Sequence, residues 1–200
     1  NTVLFLPFAA LFATMVIRII PDRTVEEKAI IVPRYLDDEL IQVPSMALER
    51  ARMELGHMGE LTDAMLTKVR PAFGSRDLGA LSQQHDQVLV LRDAVLAYLQ
   101  HVGRAELSDA EADEHARLVA ATGEIENMSA ALSRELAPLA QTLKDANTTP
   151  SKETTELLEQ LFQTIQASAH SALRALVEQD ERAAQTVVAC RDAILELTSE

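Results

Sequence analysis

Residues 45–69 read SMALERARMELGHMGELTDAMLTKV, and the spacing of their apolar positions decides the fold class. Leu48, Ala51, Leu55, Met58, Thr62, Met65 and Val69 recur at alternating intervals of three and four. That rhythm puts them on one face of an α-helix, a face that must be buried against other helices. A second stripe runs longer, through Leu118, Thr122, Ile125, Ser129, Leu132, Leu136, Leu139 and Leu143. Turn signals separate the helices. Pro71 and Gly74 close the first, Gly103 follows the second, and Ser108 with Glu111 forms a capping box that opens the third. The stretch ANTTP (146–150) closes the third, with Thr149 or Ser151 as cap of the fourth. The expected helices are therefore 45–72, 77–102, 109–145, 151–178 and 181–198. Five helices with short loops make an all-α antiparallel bundle.

Composition agrees. Of 200 residues, 48% are apolar but only 4% aromatic, with six Gly and seven Pro, which suits long helices rather than a sheet. Eighteen basic against thirty-one acidic residues gives 18 − 31 = −13, which argues against nucleic acid as the main partner. One cysteine, Cys190, excludes an internal disulfide and any cysteine-built zinc cluster.

The chain opens differently. Residues 3–17, VLFLPFAALFATMVI, are uncharged, and a spanning helix needs about 20 apolar residues. Residues 1–20 are read as the end of a transmembrane helix, in which Pro7 is tolerable; a buried core helix is the alternative. Arg18, Arg23, Lys28 and Arg34 flank the run, so by the positive-inside rule everything after Pro21 is cytoplasmic. A lone free thiol suits that reducing compartment. Pro21, Pro33 and Pro44 forbid a continuous helix, so residues 21–44 form an extended connector with one helical turn at 36–41. Residues 45–146 then make one three-helix unit, and 151–200 begin a second. A shift of 106 lays Leu81 on Val187, Asp86 on Asp192, Val88 on Ile194 and Leu91 on Leu197. Two amphipathic helices can share such a pattern by chance.

Catalytic and metal chemistry find little support. Glu54-Leu-Gly-His57 has the E-x-x-H spacing of di-iron bundles, but that chemistry needs a second such pair, and Ala112 stands three residues before His115. His57 is expected at the surface or its boundary. His85, His101, His115 and His170 are scattered over separate helices, and no glycine-rich phosphate loop is present. The acids from Glu111 to Glu114 read as a solvated helix start. The series Met46, Met53, Met58 and Met65 reads as a core stripe, with a docking groove as the alternative. The chain is not expected to be an enzyme or to hold a cofactor.

A family resemblance sharpens this. PRYLDDELIQVPSMALERARMELGHMGELTDAML (33–66) resembles the start of the cytoplasmic, PhoU-like domain of bacterial sodium/phosphate cotransporters. HDQVLVLRDAVLAYL (85–99) and ATGEIENMSAAL (121–132) resemble the second and third helices of one repeat of that domain. Residues 167–197 resemble the first two helices of the next. The resemblance implies two repeats of three antiparallel helices, the second incomplete here. It also implies a C-terminal regulatory or interaction domain of a sodium-dependent phosphate transporter in the bacterial inner membrane, contributing to phosphate uptake and homeostasis. Stand-alone PhoU proteins carry a D-L-E-R-I-G-D motif whose carboxylates bind iron or zinc. Glu124 and Glu126 match its first two acids, but Ala130 replaces the last, and an alanine cannot ligate a metal. Expected partners are the inner membrane, through residues 1–20, and a second copy of the chain, through an apolar face holding Leu158, Phe162 and Ile165. The alternative reading is a membrane-tethered helical signalling or scaffold module unrelated to phosphate.

Overall fold

The computed structural model describes residues 31–69, 79–146 and 151–197. The expected membrane segment, the connector before Ile31 and the turn residues Pro71, Gly74, Thr149 and Pro150 lie outside the described residues. The connector enters through a 3-10 turn (Asp38–Gln42) capped by Asp37, whose Oδ1 accepts from the Glu39 amide at 3.0 Å. Helices α1 (Pro44–Val69), α2 (Gly79–Val102) and α3 (Asp109–Ala131) follow. A π-helical turn (Leu132–Leu136) carries α3 into α4 (Ala137–Asp145) as one rod. Helices α5 (Lys152–Val177) and α6 (Glu181–Leu197) complete the bundle. Among the described residues there is no strand, and no helix is long and apolar enough to cross a membrane.

Local chemistry explains the boundaries. Ser108 and Glu111 make the expected capping box on α3. Ser151 caps α5 by accepting from the Thr154 amide. The α5–α6 hairpin turns on Gln179, the one described non-glycine residue with a left-handed φ, at 55°. Asp180 then caps α6 through the Arg182 and Ala183 amides while Arg174 reaches its other oxygen at 2.7 Å.

All seven positions of the first stripe are buried. The six apolar ones divide between two clusters, while Thr62 bonds back to the Met58 carbonyl. Leu48, Ala51, Leu55 and Met58 pack with Val88, Leu91, Val95 and Leu99 of α2 and Leu118 and Ile125 of α3. Met65 and Val69 meet Leu81, Leu132, Ala137 and Phe162 in the other. The methionine series splits the same way. Met58 and Met65 are core, whereas Met46 is exposed and Met53 half-buried.

The second stripe fails where the π turn begins. Leu118 to Leu132 are buried as expected, but Leu136 is only half-buried and Leu139 is 49% exposed. The wide turn holds one extra residue, so the inward position after Leu132 falls five residues on, at Ala137. The side chain of Leu143 lies outside the described set. A second correction concerns the face expected to drive self-association. Phe162 is 8% exposed, inserted between α1, α2 and the π turn, and Leu158 and Ile165 are half-buried.

α5 reaches that position by lying close on α1. Gln166 donates to Thr67, Leu173 lies over Gly59 and Val177 over Gly56, an antiparallel register along the whole contact. A Cβ on Gly59 would fall 2.0 Å from Leu173 Cδ1. Helix propensity favours Ala over Gly by about 0.5–1 kcal/mol, whereas forced overpacking costs about 1–3 kcal/mol. Gly59→Ala should therefore destabilise the chain in urea melts. Adding Leu173→Ala should make the double variant at least as stable as Leu173→Ala alone. A Gly59→Ala variant more stable than wild type would refute the close approach.

Candidate functional site: a carboxylate clamp on the connector

Among the described residues Glu54 is the one fully buried carboxylate, 0% exposed at the edge of the α1 stripe. An isolated buried carboxylate is costly unless donors surround it. Here Oε2 accepts from the backbone amides of Arg34 at 2.7 Å and Tyr35 at 2.8 Å, both in the PRYLD segment. Oε1 takes His57 Nδ1 at 2.8 Å. A carboxylate only accepts, so Nδ1 carries the hydrogen. His57 Nε2 is buried without a partner. Those two amides have no partner in a sheet or helix. Glu54 supplies the missing acceptor for an extended strand crossing a helix.

Two further bonds fix the neighbouring chain. Tyr98 of α2 donates its hydroxyl to the Asp37 carbonyl at 2.9 Å, and burial pushes the phenol pKa up, so it stays a donor. Arg52, two residues before Glu54 and so on the opposite flank of α1, bonds Glu114 of α3 through Nε at 3.1 Å and Nη2 at 2.7 Å and also pairs with Glu49. Burial raises the Glu114 carboxyl, but Arg52 and Arg117 outweigh it and hold the group below the usual carboxylate range. Ile31, Leu36 and Ile41 pack on the first core cluster around these bonds. The connector is thereby fastened to α1 and α2, and α1 to α3.

A distant relative has a phosphate name. The Salmonella typhimurium (strain LT2) protein described as "Putative inorganic phosphate export protein YjbB" is 25% identical over 181 residues, 90% of this chain and 33% of that protein. The chain thus spans about a third of the length of the curated relative it matches. No protein-family model matches the chain, and no solved structure matches it.

The residues singled out for metal chemistry are not brought together. Glu124 is exposed and borders the space between α3 and α5, whereas Glu126 is half-buried and faces Arg92 at 3.9 Å. Among the described residues no group of three or more His, Cys, Asp or Glu could hold a metal ion. His57 is corrected from boundary to interior, 3% exposed, because the clamp covers it. His85 is also buried. Its Nδ1 lies 2.9 Å from Ser129 Oγ, which itself donates to the Glu126 carbonyl, so the imidazole is the donor of the pair. Burial, reinforced by the nearby Arg134 charge, lowers its pKa. His115 bonds the Leu99 carbonyl near the end of α2. His57, His85 and His115 each bond within the bundle, and nothing in their sequence spacing signals that His57 and His85 are buried.

Proposed function

We propose that this chain is the PhoU-like, cytoplasmic regulatory domain of a sodium-dependent phosphate carrier in the bacterial inner membrane, with no catalytic step and no cofactor of its own. The observation that carries the reading is the clamp. A buried carboxylate that spends two of its bonds on the backbone of the incoming connector suits a junction that transmits position. The resemblance of residues 33–66 to the cotransporter family and the distant likeness to a protein named for phosphate export supply the substrate. Export and sodium-driven uptake differ in direction, and both move phosphate across a membrane.

The test uses the carrier that contains this domain. Everything after Val43 is deleted, and labelled phosphate flux is followed in membrane vesicles of both orientations, with and without a sodium gradient. Flux should persist, sodium-dependent, while its response to phosphate on the cytoplasmic side is lost. Complete loss of flux at unchanged protein abundance would sink the regulatory reading. An unaltered response would favour a tethered scaffold instead.

A further inference from the structure

We infer that the trough between α3 and α5 is a docking site for an amphipathic helix of a partner polypeptide whose small apolar stripe is flanked by Lys and Arg. α1 packs against both α3 and α5, and these two leave a space over Gly59 between them. The space measures about 310 Å³ and is walled by Ala121, Ile125 and Met128 on one side and Ala169, Ala172 and Leu173 on the other. Leu176 joins it to a second hollow of about 240 Å³ that reaches Glu114. From position 114 to 128 along α3 is about 21 Å at a rise of about 1.5 Å per residue, the length of a helix of about fourteen residues. Alanines at 121, 169 and 172 let a helix backbone approach closely, and Met128 can adjust to its side chains.

Charge selects the occupant. Asp63 and Glu124 edge the first hollow, and Glu114, Asp180 and Glu181 the second. Glu114 and Asp180 are already offset by Arg52, Arg117 and Arg174, so Asp63 and Glu124 at the first hollow and Glu181 at the second carry the charge that selects the occupant. Asp63 Oδ1 is buried without a hydrogen bond, although His170 Nε2 lies 3.2 Å away in an unsuitable direction. Among the described residues Glu124 and Glu181 have no ion-pair partner. An acidic rim around an apolar floor attracts a cationic helix and repels a second copy of a chain whose net charge is −13. The inference does not depend on the phosphate reading.

The test presents three fourteen-residue fluorescent peptides to the full chain at physiological salt. Two share a Leu/Ala stripe, one flanked by Lys and the other by Glu; the third has the Lys composition with its apolar residues scattered. The Lys-stripe peptide should bind saturably and about tenfold or more tighter than either control. Glu124→Lys, an exposed change, should weaken it about threefold, and Ala172→Trp should weaken it further with the helical circular dichroism intact. Methyl resonances of Met128 and Ala172 should move on binding. Equal affinity for all three peptides, no saturable binding, or shifts at Met46 with Met128 unmoved would overturn the assignment.

Discussion

Glu54→Ala should lower the unfolding free energy by about 3–5 kcal/mol, the range found when one partner of a buried charged network is removed. The side chain leaves behind two backbone amides, Arg34 and Tyr35, and a buried imidazole nitrogen, His57 Nδ1, with nothing to accept their hydrogens. Each such orphan costs about 1–3 kcal/mol, and water entering the space recovers part of the sum. Glu54→Gln keeps the volume and one acceptor oxygen, so its loss should be smaller, about 1–3 kcal/mol. Urea denaturation with an unchanged m-value gives the stability change. Hydrogen exchange locates it, because the Arg34 and Tyr35 amides should lose protection in both variants while the centre of α2 keeps its order of protection. A change below about 0.5 kcal/mol for Glu54→Ala, the range of surface substitutions, would mean that the carboxylate is not the connector's anchor. In the carrier proposed above, Glu54→Ala should also blunt the response to cytoplasmic phosphate as deletion of the domain does.

How far these features were legible in the sequence follows from what sets each of them. The α1 stripe was readable because every position from Leu48 to Val69 obeys one helical period, and burial followed the period. The capping box was readable because Ser108 and Glu111 interact three residues apart. Glu54 was not. Its partners lie nineteen and twenty residues away in an extended segment, and an acid beside an apolar stripe looks like any solvated flank. The E-x-x-H spacing marked the pair, but with the di-iron reading set aside for want of a second pair it left His57 expected at the surface or its boundary, when the pair serves a backbone. Gly59 was equally silent, since only the arrival of Leu173 from a helix more than a hundred residues later makes its missing side chain matter. The π turn escaped because LSREL reads as ordinary helix. The extra residue is accommodated by tertiary packing that a periodicity count cannot sense.

That π turn sets the other large effect. Leu132→Ala should cost about 2–5 kcal/mol, because its side chain is buried among Met65, Leu66, Val69, Leu81 and Phe162 and its removal leaves a cavity where four helices meet. The loss should not be shared evenly. α1, α2 and α3 hold the first cluster, from Ala47 to Ile125, which does not include Leu132, whereas α5 contributes Phe162 to this one. Protection from hydrogen exchange should therefore fall first and furthest in α5 and α6, with the Leu91 to Leu99 stretch of α2 exchanging last. Deleting Ser133 provides the geometric control. It turns five residues per wide turn into four, which keeps Leu132 and Ala137 on the same inward face, so this variant should fold and lose much less stability than Leu132→Ala. If Ser133 deletion proves the more damaging of the two, the register shift at Ala137 is not produced by the turn. If Leu132→Ala costs under about 0.5 kcal/mol, the side chain does not occupy the core at all.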